Sequence, residues 1–123
     1  AANAIILDEK ARRDIRGTVE NSRIEGRTLI EEGAVVRNSV VRGPVVIGRG
    51  AIVDDSVIGP YTSIGNNCVI KRSAIEYSVL MEGCTVEGVE RIEESIIGRY
   101  AKVVANNRKS IKLHISDYSI VEI

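Results

Sequence analysis

Aliphatic residues recur along this chain in steps of mostly 6, 6 and 5: Ile24, Ile30, Val36, Val41, Ile47, Val53, Ile58, Ile64, Ile70 and Ile75, then Leu80, Val86, Ile92, Ile97 and Val103. Two positions before each stands a second series: Ser22, Thr28, Ala34, Ser39, Val45, Ala51, Ser56, Thr62, Cys68, Ser73, Ser78, Cys84, Glu90, Ser95 and Ala101. Nearly all of these are Ser, Thr, Ala or Cys. In an extended strand, residues i and i+2 lie on the same side. Each short segment therefore sends one large aliphatic and one small residue inward. Three segments make 17 residues, and the serines Ser22, Ser39, Ser56 and Ser73 repeat at that interval. A 3.6-residue helical period does not generate a 17-residue registry. Consecutive hairpins are excluded too, because Asn-Gly and Asp-Gly turns are absent.

The pattern predicts a triangular prism. Large aliphatics fill its middle, small residues fit under its corners, and each coil pairs with the next at about 4.8 Å. Gly33, Gly50 and Asn67 follow the repeat at one corner; Gly26, Gly43 and Pro60 follow it at another. Glycine and asparagine tolerate positive φ, which tight corners demand. This is the hexapeptide signature of a parallel β-helix. Its resemblance to hexapeptide solenoids, rather than the period itself, implies left-handed coiling. The expected class is all-β, a left-handed parallel β-helix of about five coils with a short N-terminal helix.

The ends depart from the repeat. Ala4, Leu7, Ala11 and Ile15 recur at helical spacing among charged residues. Residues 1–16 are expected to form a helix and linker from an absent upstream domain, which also covers the open end of the solenoid. The β-helix is expected over 17–104. Residues 105–123 are read as a polar loop around Asn106–Lys109 and terminal strands that complete or cap the solenoid. Within the repeat, Glu90 is the one charged residue in an inward slot. Either the coil bulges there or the register shifts.

Composition narrows the chemistry. Lys plus Arg and Asp plus Glu both number 17 in 123 residues. A neutral chain offers no electrostatic reason to bind nucleic acid or an acidic membrane. No apolar run approaches the roughly 20 residues that span a bilayer. The only aromatics are four tyrosines, so Val, Ile and Ala must fill the interior. Two cysteines, Cys68 and Cys84, make no disulfide framework, occupy inward slots and suit a reducing cytoplasm. One histidine, His114, leaves no Ser–His–Asp arrangement and no His cluster for zinc. The glycines Gly48, Gly50, Gly59 and Gly65 follow the coil and precede no helix, as a phosphate cradle requires. No catalytic, cofactor-binding or metal-binding residue is assigned.

The outward positions carry a different signal. Val35, Ile52 and Val69 stack on one face, and Val40, Val57 and Ala74 on the adjoining one; Arg37, Asp54 and Lys71 stack beside them. The six apolar residues form a candidate self-association stripe, and a three-sided prism packs readily as a trimer. β-branched residues also suit strands for their own sake.

The stretches Arg42-Gly43-Pro44-Val45-Val46-Ile47-Gly48, Ile58-Gly59-Pro60-Tyr61-Thr62-Ser63-Ile64-Gly65 and Glu87-Gly88-Val89-Glu90-Arg91-Ile92 resemble the carboxy-terminal solenoid of long-form glucose-1-phosphate thymidylyltransferases. So do the opening Ala2–Glu9 and the ending Ile115–Ile123. The resemblance implies a parent enzyme that transfers a nucleotidyl group from dTTP to glucose 1-phosphate with Mg²⁺, with its catalytic domain upstream. It implies no cofactor and no catalytic residue in this chain. The expected role is non-catalytic: homo-oligomerisation and positioning of the catalytic domain. The alternative is an acetyl-CoA-dependent acyltransferase acting on an amino-sugar phosphate. That chemistry needs a histidine base on a solenoid face, and the segments through Val103 contain none. A γ-type carbonic anhydrase needs several histidines.

Overall fold

A computed structural model describes residues 13–105, 110–111, 114–115 and 117–122. The expected helix up to residue 12 and the loop 106–109 lie outside these. The chain winds as a parallel β-solenoid. The first coil holds β1 (Arg13–Ile15), β2 (Thr18–Glu20) and β3 (Arg23–Glu25), and the second β4 (Thr28–Ile30), β5 (Val35–Arg37) and β6 (Val40–Arg42). Next come β7 (Val45–Ile47), β8 (Ile52–Asp54) and β9 (Val57–Ile58), then β10 (Thr62–Ile64), β11 (Val69–Lys71) and β12 (Ala74–Glu76). The upper coils hold β13 (Val79–Leu80), β14 (Thr85–Glu87), β15 (Arg91–Glu93), β16 (Ile96–Ile97), β17 (Lys102–Val104) and β18 (Ser110–Ile111). β19 (His114–Ile115) and β20 (Ile120–Glu122) close the chain.

Every third strand joins the same sheet. Sheet 1 runs β1-β4-β7-β10-β13-β16-β19, sheet 2 runs β2-β5-β8-β11-β14-β17-β20, and sheet 3 runs β3-β6-β9-β12-β15-β18. The five coils expected over 17–104 are present. The three sheets also extend beyond those bounds. Arg13–Ile15, expected in the helix and linker, is a strand in register with Thr28–Ile30. Ile15 thus belongs to the column continued by Ile30, Ile47 and Ile64. Its helical spacing from Ala11 has no bearing on its place. At the other end β18, β19 and β20 each add a strand to one sheet.

The interior is the predicted one. Ile30, Val36, Val41, Ile47, Val53 and Ile58 are fully buried, with Ala34, Ala51, Cys68 and Cys84 beneath one corner. Such a core needs no rings. At about 25 cal/mol per Å² of apolar surface, each buried isoleucine contributes on the order of 2 kcal/mol. Cys68 donates its S–H to the Met81 carbonyl (3.1 Å), and Cys84 to that of Gly98 (2.9 Å). The neighbouring Cys84 thiol and then burial hold the Cys68 thiol well above the ordinary range, so it carries little thiolate.

The corners use more residue types than the sequence suggests. Gly33, Gly50 and Asn67 have φ of 83°, 72° and 61°, as expected, and Gly83, Tyr100 and Tyr118 continue the series. At the next corner Asn21, Asn38, Asp55 and Arg72 all have positive φ. At the third, Gly26 does, whereas Gly43 is joined to Pro44 by a cis peptide and Tyr61 and Tyr77 take positive φ above it.

Glu90 is not inward: Val89 fills that slot, fully buried, while Glu90 is exposed. The coil bulges. The amide of Val89 donates to Ser73 Oγ (3.0 Å), a step of 16 residues, yet Ile75 pairs with Ile92, a step of 17. The extra residue between Val89 and Ile92 restores the register of sheet 3 and turns the carboxylate to solvent.

Candidate functional site

Each sheet presents its outward positions as columns along the axis. On sheet 2, Val35, Ile52 and Val69 stand in register, and on sheet 3 so do Val40, Val57 and Ala74. All six point outward and are partly or largely exposed. They do not merge into one apolar band. Arg37, Asp54 and Lys71, also in register, lie between the two columns along the chain. These three close no ion pair with one another. The pairs that form on this side include Arg72 with Glu87 (2.7 Å), Arg91 with Glu76, and Arg42 with Glu25 (3.5 Å), all at the surface. Surface pairs of this kind contribute about 0–1 kcal/mol each.

Sheet 1 carries the larger apolar face. Its outward column is Leu29, Val46, Ser63, Val79 and Ile96. Val46, Val79 and Ile96 are 39%, 45% and 49% exposed, and Met81 on the same sheet's edge is 42% exposed. β-branched and long apolar side chains left this far in water recur along the face on both sides of Ser63, and are more than scattered exceptions. Gly48, Gly65 and Gly98 leave the neighbouring column nearly flat. At Gly65 a Cβ would lie 2.7 Å from the backbone of Met81.

All four tyrosines stand at the two corners that bound this sheet. Tyr61 and Tyr77 stack at one, with ring centroids 5.5 Å apart, and Tyr100 and Tyr118 stack at the other at 5.3 Å. Such offset pairs are worth about 0.5–1.5 kcal/mol beyond their area. The Tyr100 ring lies where a Cβ on Gly83 would be, and its hydroxyl donates to Glu82 (3.2 Å), which raises its pKa. Tyrosine, methionine and exposed aliphatics are the composition of interface cores. None of these sheet 1 residues belongs to the stripe expected from the sequence.

The lower part of the face is concave. A groove of about 480 Å³ runs along sheet 1 with Leu29, Val46, Ser63 and Val79 on its floor, and Pro44 and Tyr61 as one wall. Asp14 and Arg27 stand at its lower mouth.

Among the described residues no group of three or more His, Cys, Asp or Glu side chains could hold a metal ion. His114 lies in β19, in backbone register with Ile96. No helix of the described residues is long and apolar enough to cross a membrane.

Comparison with known proteins matches these features. The family model described as GMPPB C-terminal domain covers residues 41–113. A glucose-1-phosphate thymidylyltransferase from Streptomyces griseus is 44% identical over 86 residues, 70% of this chain and 24% of that protein. The chain therefore spans about a quarter of the length of that curated relative. The matched stretch takes in coils of all three sheets, and the chain belongs to the GMPPB C-terminal domain family.

Proposed function

We propose that this chain is the non-catalytic assembly domain of a sugar-1-phosphate nucleotidyltransferase. In this reading the parent transfers a nucleotidyl group, dTMP, from a nucleoside triphosphate to glucose 1-phosphate and releases pyrophosphate. The similarity to the Streptomyces griseus thymidylyltransferase supports the reaction. Mg²⁺ belongs to the catalytic part, and the two free, buried thiols suit a cytoplasmic enzyme. The test is the parent protein incubated with Mg²⁺, glucose 1-phosphate and each nucleoside triphosphate in turn. Pyrophosphate release fastest with dTTP is expected; release with none of them overturns the assignment.

The domain's own work is to hold copies together and position the catalytic parts. The observation that carries this is the tyrosine-bounded apolar strip of sheet 1. On its upper coils Tyr77, Val79, Met81 and Ile96 are 42–51% exposed. Three prisms meeting on one face each, about an axis parallel to their own, bury that strip in a closed trimer. Sedimentation of the chain at tens of micromolar tests it: a trimer is expected, and monomer alone overturns it.

A further inference from the structure

The two corners that bound sheet 1 carry charge in a pattern that bears on how copies meet there. On the second coil Arg27 stands just before β4 and Glu32 shortly after it, at opposite corners. On the sixth coil Glu94 and Arg99 flank β16 with the signs reversed. All four residues are exposed. Resting on the trimer proposed above, we propose that these corners form a register clamp between copies: Glu32 pairs with the next copy's Arg27, and Arg99 with its Glu94.

The pairing follows from the winding. A rotation about an axis parallel to the solenoid leaves every coil at its own height, so each copy's corner after sheet 1 faces the next copy's corner before sheet 1, coil for coil. The backbone sets both columns. At one corner amide-to-carbonyl bonds stack Glu32, Arg49, Asn66, Glu82, Arg99 and then Asp117. At the other, Arg27, Pro44, Tyr61, Tyr77 and Glu94 follow one another. At equal height the second and sixth coils bring opposite charges together. The coils between set Pro44, Tyr61 and Tyr77 against Arg49, Asn66 and Glu82, with no like-charged pair.

A slip of one coil reverses this. Raised by one coil, the next copy's Arg27 meets Arg49 and its Glu94 meets Asp117. Lowered by one coil, its Arg27 meets Arg16 and its Glu94 meets Glu82. Like charges set opposite one another disfavour both slips, and a slipped contact winds into an open filament instead of closing a ring. Among the described residues Arg27 and Glu32 close no ion pair within their own copy. Arg99 holds Asp117 through Nε and one terminal nitrogen, and the guanidinium fork keeps further N–H donors for a second carboxylate.

The test is a charge exchange in the full chain, read by sedimentation over a concentration series. Arg27→Glu sets a carboxylate against Glu32 and should raise the concentration of half-dissociation about tenfold or more, with circular dichroism unchanged. Adding Glu32→Arg restores an opposite pair and should return that concentration to within about threefold of the unsubstituted chain. Arg37→Glu, the same charge change on sheet 2, should leave it unmoved. A trimer that tolerates Arg27→Glu, or one that Glu32→Arg fails to restore, overturns the clamp while the trimer itself stands. Rescue of Arg27→Glu by Glu94→Arg instead also overturns it, because those two positions meet only when two copies lie face to face with their axes opposed. An unsubstituted chain that sediments as monomer alone overturns the trimer reading beneath the clamp.

Discussion

Ser39 Oγ accepts a hydrogen bond from the backbone amide of Ser56, one coil further on (3.1 Å), while donating its own proton to the Arg37 carbonyl (2.6 Å). Ser56 repeats the arrangement with the amide of Ser73 and the carbonyl of Asp54, and Ser78 does so with the amide of Ser95 and the carbonyl of Glu76. The inward small residues are therefore more than space-fillers. At both of these corners, between sheets 2 and 3 and between sheets 3 and 1, the hydroxyl satisfies a buried amide that the turn has taken out of the strand ladder.

Ser56→Ala removes both bonds and leaves the Ser73 amide buried without a partner. A loss of about 1–3 kcal/mol is expected, read as a shift in the urea midpoint with unchanged slope. Stability equal to wild type would show the hydroxyl to be incidental.

Ile47 is fully buried between Ile30 and Ile64. Ile47→Ala should cost about 2–5 kcal/mol through lost transfer energy and a residual cavity. Thermal or denaturant unfolding checks it, and a cost below that of a typical surface substitution would mean the column is not packed as described.

Ile96→Asp puts a charge on the upper part of sheet 1, where Ile96 is 49% exposed. It should dissociate the oligomer in sedimentation while leaving the unfolding midpoint nearly unchanged. Ile52→Asp, on sheet 2, serves as the comparison. If Ile52→Asp dissociates the oligomer and Ile96→Asp does not, copies meet on the stripe read from the sequence instead.

The last corner should loosen in acid. Asp117 accepts from the Arg99 amide (2.7 Å) and guanidinium (2.8 Å), and these bonds hold its carboxyl below the ordinary aspartate range. A depressed folded-state pKa gives stability that is present above the unfolded value, about 3.9, and is lost as pH falls through the folded value. Asn66 makes the same corner bond to the Arg49 amide (2.8 Å) without a titrating group. Amide exchange, corrected for its intrinsic rate, should therefore show Arg99 losing protection relative to Arg49 below pH ~4. Asp117→Asn should remove the difference, and identical behaviour of the two amides in the unsubstituted chain would contradict the account.

The inward columns were legible because two constraints repeat together: a large aliphatic, and a small residue two positions earlier. Most corners were not, because Asn38, Asp55, Arg72 and Tyr77 hold positive φ under the pull of coil-to-coil bonding, and no residue preference announces an arginine or tyrosine there. The sheet 1 face was hidden by a shortened coil. Strict 17-residue stacking from Ser63 arrives at Leu80, which is inward, whereas the actual partner is Val79. The tyrosines carry no period at all. Only the winding brings Tyr61 over Tyr77 and Tyr100 over Tyr118.

Coils of unequal length nevertheless keep all three sheets in register, as the bulge at Glu90 shows. What is conserved from coil to coil is the inward pair, and the number of residues spent between pairs is free to vary at the corners. Cutting out residues 40–56 would join Ser39 directly to Val57 and restore every column one rung lower. The distance between the two ends of the domain is thus graduated in increments of about 4.8 Å. Whatever it holds apart can be re-spaced by whole rungs while the inward columns stay in register.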